Sequence, residues 1–176
     1  MIFKNREGHA LMKKEQQLTK ILFVIYLVIL TWIILFKMQV SIGDLPHIRN
    51  INLIPYGQSV IVNGRIDFGE IIYNAVAFIP VGVYTAILGR GWSFWKKILP
   101  AVGISLLYEI FQYAFAIGAT DITDLINNTL GGILGILITM LFSVILKERA
   151  YKVLNVLAVI GTVLLIGLLM ILIAVN

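Results

Sequence analysis

Glu109-Ile110-Phe111-Gln112-Tyr113-Ala114-Phe115-Ala116-Ile117-Gly118-Ala119-Thr120-Asp121-Ile122-Thr123-Asp124-Leu125-Ile126-Asn127-Asn128 is the stretch that decides the fold. Glu109, Gln112, Asp121, Asp124 and Asn128 crowd into a segment that otherwise has the character of membrane-spanning helix. Ionisable groups in hydrocarbon cost roughly 2.5–3.5 kcal/mol each on insertion scales. A chain that keeps them turns them toward a bundle interior, a partner or a substrate. Two helices meet here through a connection too short for anything but antiparallel neighbours, so their polar stripes can face each other. The stretch locates a site before it says what the site does.

Outward from it, long apolar segments recur in both directions. The chain has 176 residues, of which 60% are hydrophobic and 13% charged, and a mean hydropathy of +0.96. Those values belong to an integral membrane protein, and the length allows one bundle without a separate soluble domain. The fold class is all-α, a polytopic transmembrane helix bundle with five spans. These fall at about 18–37, 69–89, 98–118, 123–146 and 153–175. Pro80 sits inside the second and should kink it. Residues 1–17 form a basic N-terminal segment assigned to the cytosol, with a short surface helix expected in it. The apolar stretch Ile21–Phe36 lacks a small-residue cleavage pattern and is taken as the first span, not a signal peptide. Residues 18–146 form the main transmembrane domain, with an outer loop at 38–68, and 147–176 add the fifth span.

Orientation follows from Lys and Arg. Lys4, Arg6, Lys13, Lys14, Lys20, Arg90, Lys96, Lys97, Lys147, Arg149 and Lys152 lie on the side of the N-terminus, against Lys37, Arg49 and Arg65 on the other. This bias predicts the N-terminus inside and the C-terminus outside. The same flanking pattern explains the net charge of +5, so no nucleic-acid partner is expected. The chain has no cysteine, which excludes disulfides, thiol nucleophiles and cysteine metal sites. His9 and His47 are the only histidines, and no nucleotide-binding glycine loop, metal-ligand spacing or nucleophile–histidine arrangement occurs. No cofactor and no metal are expected.

Helical spacing places Ser105, Glu109 and Gln112 on one stripe of the third span. At ~1.5 Å per residue, Glu109 lies near the middle of a ~30 Å core. Asp121, Asp124 and Asn128 form the facing stripe, continued by Gly131 and Gly135, a GxxxG that permits close helix packing. Asn74 begins a third polar stripe on the second span. The outer loop contains Arg49-Asn50-Ile51-Asn52-Leu53-Ile54-Pro55-Tyr56, an interfacial or re-entrant segment, since irregular backbone sits at membrane depth only when covered by protein. Arg49 is the cation expected to dock near Asp121, Asp124 or Glu109. Asn63-Gly64 between apolar residues is a local hairpin signal.

Simpler roles compete for several of these residues. Asp121 and Asp124 suit a helix N-terminus as capping groups. Asn74 and Asn128 suit hydrogen bonding between helices, and Gly131 and Gly135 suit packing. His47 has no partner motif, and Trp32, Trp92 and Trp95 suit span or interface anchors. Glu109 is different, because a carboxyl at mid-membrane has no structural need.

Asn52-Leu53-Ile54-Pro55-Tyr56, then Asn74 with Phe78, Pro80 and Gly82, then Glu109-Ile110-Phe111-Gln112, then Asp121, Asp124, Asn128, Gly131, Gly132 and Gly135 resemble the VanZ-like family. The resemblance covers about residues 49–140, and its specificity lies in the ordered set. The family pattern often carries an Arg shortly before the first Asp and a Phe after the loop Pro. Thr120 and Tyr56 stand there instead, which leaves Arg49 as the main outer cation. The family is named for an accessory protein of glycopeptide-resistance clusters associated with lower susceptibility to teicoplanin. The resemblance therefore implies a multi-pass protein of the bacterial plasma membrane that lowers sensitivity to a lipoglycopeptide of the teicoplanin type. Teicoplanin carries an acyl chain and vancomycin does not, so a membrane protein can discriminate by the lipid anchor.

Three mechanisms stay open. The outer polar pocket can bind the drug, a membrane lipid or a cell-wall lipid intermediate, with Arg49, Asn52, Asn74, Gln112 and Asn128 as binding groups. A membrane enzyme can act on a lipid-linked substrate with Glu109 as acid or base and Asp121 and Asp124 assisting. A small lipid transporter or flippase can use Glu109 as a proton site.

Overall fold

The computed structural model describes residues 2–36, 48–56, 61–62, 65–66 and 68–175. The elements are α1 (Ile2–Leu35), β1 (Ile48–Asn52), β2 (Ile61–Val62), β3 (Arg65–Ile66), α2 (Phe68–Leu88), α3 (Phe94–Phe115), β4 (Ile117–Asp121), α4 (Ile122–Leu146), a 3-10 turn (Lys147–Arg149) and α5 (Ala150–Val175). Five of the helices are long and apolar enough to cross a membrane, over Lys14–Leu35, Ile71–Leu88, Phe94–Phe115, Ile122–Leu146 and Ala150–Ile171. The all-α, five-span class holds.

The basic N-terminal segment does not form a separate surface helix. It runs continuously into the first span, giving one helix of 34 residues. Its Ala, Leu, Met, Lys, Glu and Gln residues favour helix, and only Gly8 weakens the run. At ~1.5 Å per residue such a helix exceeds the ~30 Å hydrocarbon core, so part of it projects beyond the span.

The central packing unit is α2 against α4. A methyl group placed on Gly131 would collide with the backbone carbonyl of Ala75, one on Gly135 with that of Ile79, and one on Gly82 with that of Gly132. These three glycines let the two backbones touch, and α2 and α4 run in the same direction. The α3 helix packs antiparallel to α4, with Ala101 against Gly132. The α1 helix completes the core by laying Leu22, Tyr26 and Leu30 on Phe78, Val81 and Tyr84 of α2, beside Ala101 and Tyr108 of α3. The spacing of its contacts, i, i+4 and i+8, is one helical stripe. Thr19 at the basic end of α1 donates to Asn155 Oδ1 of α5 at 2.8 Å.

Two short strand pairs lie at the opposite end. β2 and β3 are antiparallel with Ile61 opposite Ile66, which is the hairpin that Asn63-Gly64 signals; those two residues and His47 lie outside the described residues. β1 pairs with β4 in parallel, from Ile48 with Ile117 to Asn52 with Asp121. β4 occupies the place where a tight helix–helix connection is expected from the sequence. It arises because α3 ends at Ala116, which adopts the left-handed conformation (φ 54°), and the chain folds back along the helix it has just left.

Candidate functional site

The fold-back of β4 builds the site. Thr120 Oγ1 donates to the backbone carbonyl of Glu109 at 3.0 Å, and the backbone N–H of Asp121 donates to Glu109 Oε2 at 2.8 Å. Strand residues thereby reach about two turns below the end of α3, and Glu109 is only 5% exposed. Non-helical backbone at this depth requires protein cover, and β1, α3 and α4 supply it.

Asp121 is the N-cap of α4. Its Oδ1 accepts from the N–H of Thr123 at 2.8 Å, which satisfies an otherwise unpaired donor of the first turn. The same carboxylate accepts from Asn52 Nδ2 at 3.2 and 3.3 Å across the last rung of the ladder. Asp124, in the first turn of α4, accepts from Asn74 Nδ2 of α2 at 2.6 Å. Asn128 Nδ2 donates to Ser105 Oγ at 2.9 Å. That bond fixes the facing of the two stripes one turn from Glu109. Gln112 Nε2 reaches the carbonyl of Ile34 in α1 at 3.5 Å.

The expected residues Glu109, Asp121, Asn52, Asp124, Asn74 and Asn128 thus come together between α2, α3, α4 and β1. They form three neighbouring hydrogen-bonded groups, Glu109 with Asp121 and Asn52, Asp124 with Asn74, and Asn128 with Ser105. Four buried side-chain atoms meet no hydrogen-bond partner among the described residues: Gln112 Oε1, Asn127 Nδ2 and Asn128 Oδ1 in this region, and Asn155 Nδ2 on α5. No cluster of His, Asp and Glu fit for a metal ion occurs among the described residues.

Arg49 is a correction. Its guanidinium does not dock on the acidic residues; it donates to the carbonyls of Tyr113 and Ala114 at 3.2 and 3.3 Å and lies 5.4 Å from the centre of the Tyr113 ring. The end of α3 offers its last carbonyls, of which that of Tyr113 also accepts from the N–H of Ala116, and the negative end of its dipole, which favour a cation. The strand conformation of β1 explains the rest: positions 49 and 52 project to opposite faces, so only Asn52 can face Asp121.

Three residues not singled out as site groups, Tyr56, Thr123 and Asn127, complete the cluster. Tyr56 adopts a left-handed backbone (φ 55°), uncommon for a bulky side chain. Its N–H donates to Thr123 Oγ1 at 3.0 Å and its hydroxyl to Asn127 Oδ1 at 3.1 Å. The loop after β1 is thereby fastened over the start of α4. The signal for it was the Tyr at a position where Phe is the expected residue, since only the hydroxyl makes the second bond.

Comparison with known proteins agrees with this ordered set. A family model described as VanZ/LLP1 matches residues 23–146. The chain is 40% identical over 121 residues to a protein of Enterococcus faecium named Protein VanZ, covering 68% of this chain and 71% of that one. No solved structure gives a significant match. The match over most of the chain, spanning the whole of α2 to α4 with the polar cluster inside it, shows that the chain belongs to the VanZ/LLP1 family.

Proposed function

We propose that the chain lowers the sensitivity of a bacterial cell to a lipoglycopeptide of the teicoplanin type, acting from within the plasma membrane through the polar cluster around Glu109. Family membership supports the phenotype. The cluster supports the place of action. Gln112 Oε1, Asn127 Nδ2 and Asn128 Oδ1 are buried with hydrogen-bonding capacity unused, and a native protein pairs such groups. Two acceptors and a donor beside three carboxyl groups suit a headgroup rich in hydroxyls or amines. That describes the lipid-anchored drug or the cell-wall lipid it recognises. In this reading Asn52 and Asn74 hold the carboxylates in place, and Arg49 anchors β1 to α3.

A susceptible host expressing the chain tests the proposal. Teicoplanin susceptibility should fall, and vancomycin susceptibility should stay unchanged. Equal protection against both drugs, or against neither, contradicts it. The orientation that puts the cluster in the outer half is tested separately. A single cysteine at Lys96, in a chain with none of its own, should react with a membrane-impermeant maleimide only in broken cells.

A second reading is a membrane enzyme with Glu109 as acid or base. It is favoured by the contrast among the three carboxyl groups. Asp121 is engaged by Asn52 and by its own helix start, and Asp124 by Asn74. The Glu109 carboxylate is held by one backbone N–H.

A further inference from the structure

Away from the polar cluster, α1, α2, α4 and α5 line a partly open cavity of about 540 Å³. Tyr26, Ala77, Pro80, Phe142, Ala158 and Gly161 are among its walls. We propose that this cavity is a binding site for one acyl chain of a membrane phospholipid, held as a resident ligand between α5 and the rest of the bundle.

Three observations carry it. The walls belong to helices that read as membrane-spanning, so the space lies at the depth where hydrocarbon is the surrounding medium. Apart from the exposed Tyr73, the polar side chains in the walls are already engaged: the Tyr26 hydroxyl donates to the carbonyl of Ala77, Thr162 Oγ1 donates to that of Ala158 at 2.8 Å, and the Tyr84 side chain meets Thr162. An occupant rich in hydroxyls or charges would leave most of them without a partner, whereas a methylene chain needs none. The volume falls within the ~300–1,000 Å³ of small-molecule sites.

The depth of the cavity on the α5 side comes from small residues. A Cβ built on Gly161 meets nothing within 4 Å, and the same holds at Gly167, which is not among the lining residues. The two glycines form a matched pair for an experiment. The full chain is placed in nanodiscs of phosphatidylglycerol containing a small fraction of the same lipid with a diazirine in its acyl chain. After illumination, cross-linked peptides are mapped by mass spectrometry.

In the wild-type chain, cross-links should concentrate on the segments 76–84 of α2 and 154–165 of α5. Gly161→Phe should lower the yield there about tenfold, the loss expected when two buried methylenes lose their place. Gly167→Phe should leave the yield unchanged. Labelling spread evenly over the outward faces of all helices, or a Gly161→Phe map equal to wild type, overturns the proposal. If Gly161→Phe instead converts a dimer to a monomer by native mass measurement, the occupant is a second copy and the proposal fails. The wild-type map decides the case alone if the variant does not accumulate.

Discussion

The interface between α2 and α4 and the α5 helix both carry glycines, and the glycines do opposite things. Added methyls at Gly131 and Gly135 would meet backbone carbonyls of α2, while those at Gly161 and Gly167 would meet open space. Close approach of two backbones makes α2 and α4 one rigid unit, and that unit positions Asn74 against Asp124. The α5 helix leaves a cavity where another close contact would have been possible. Glycine in a membrane helix is thus no indicator of packing by itself. Spacing that repeats at four residues and continues a polar stripe, as from Asn128 through Gly131 to Gly135, is the more telling signal.

The contrast is open to direct attack. Gly135→Leu should be the most damaging change, because a side chain there must push two backbones apart. A loss of about 3 kcal/mol, the upper part of the usual overpacking range, is expected, read as loss of folded protein in a thermal melt in mild detergent. Asn74→Leu removes one donor from Asp124 at the top of the same interface and should cost about 1–3 kcal/mol by the same melt. Tyr56→Phe deletes the hydroxyl bond to Asn127 and should cost about 1 kcal/mol. Gly161→Ala should do the reverse of Gly135→Leu and stabilise slightly, by up to about 0.8 kcal/mol, through helix propensity alone. A destabilising Gly161→Ala would show that α5 packs as tightly as α4, and a neutral Gly135→Leu would show that α2 and α4 do not touch.

The two regions also differ in how far the sequence reveals them. The five apolar runs are plain, and the third differs from its expected bounds only because Ser93 caps it early, accepting from the N–H of Lys96, and Ala116 turns out of it. The buried stripe of Ser105, Glu109 and Gln112 follows from helical spacing, and all three side chains are buried. The strand pair is another matter. β1 and β4 are five residues each, and Asn52 and Asp121 are 69 residues apart. A parallel pair has no turn to announce it. With β1 unrecognised, Arg49 and Asn52 could not be assigned to opposite faces, and the Arg49 expectation failed for that reason. The α5 cavity has no sequence signature, because small residues facing hydrocarbon and small residues facing a helix look alike.

The central claim is that the Glu109 carboxyl, brought against the returning strand at mid-bundle, acts in function and not in packing. Glu109→Gln keeps the shape and retains an oxygen to accept the Asp121 N–H, while it cannot ionise. The measurement is teicoplanin susceptibility of a host expressing wild type or Glu109→Gln at equal membrane levels. Protection by wild type, and its loss in a Glu109→Gln protein that melts at the same temperature or higher, is the predicted result. Full protection by Glu109→Gln would contradict it.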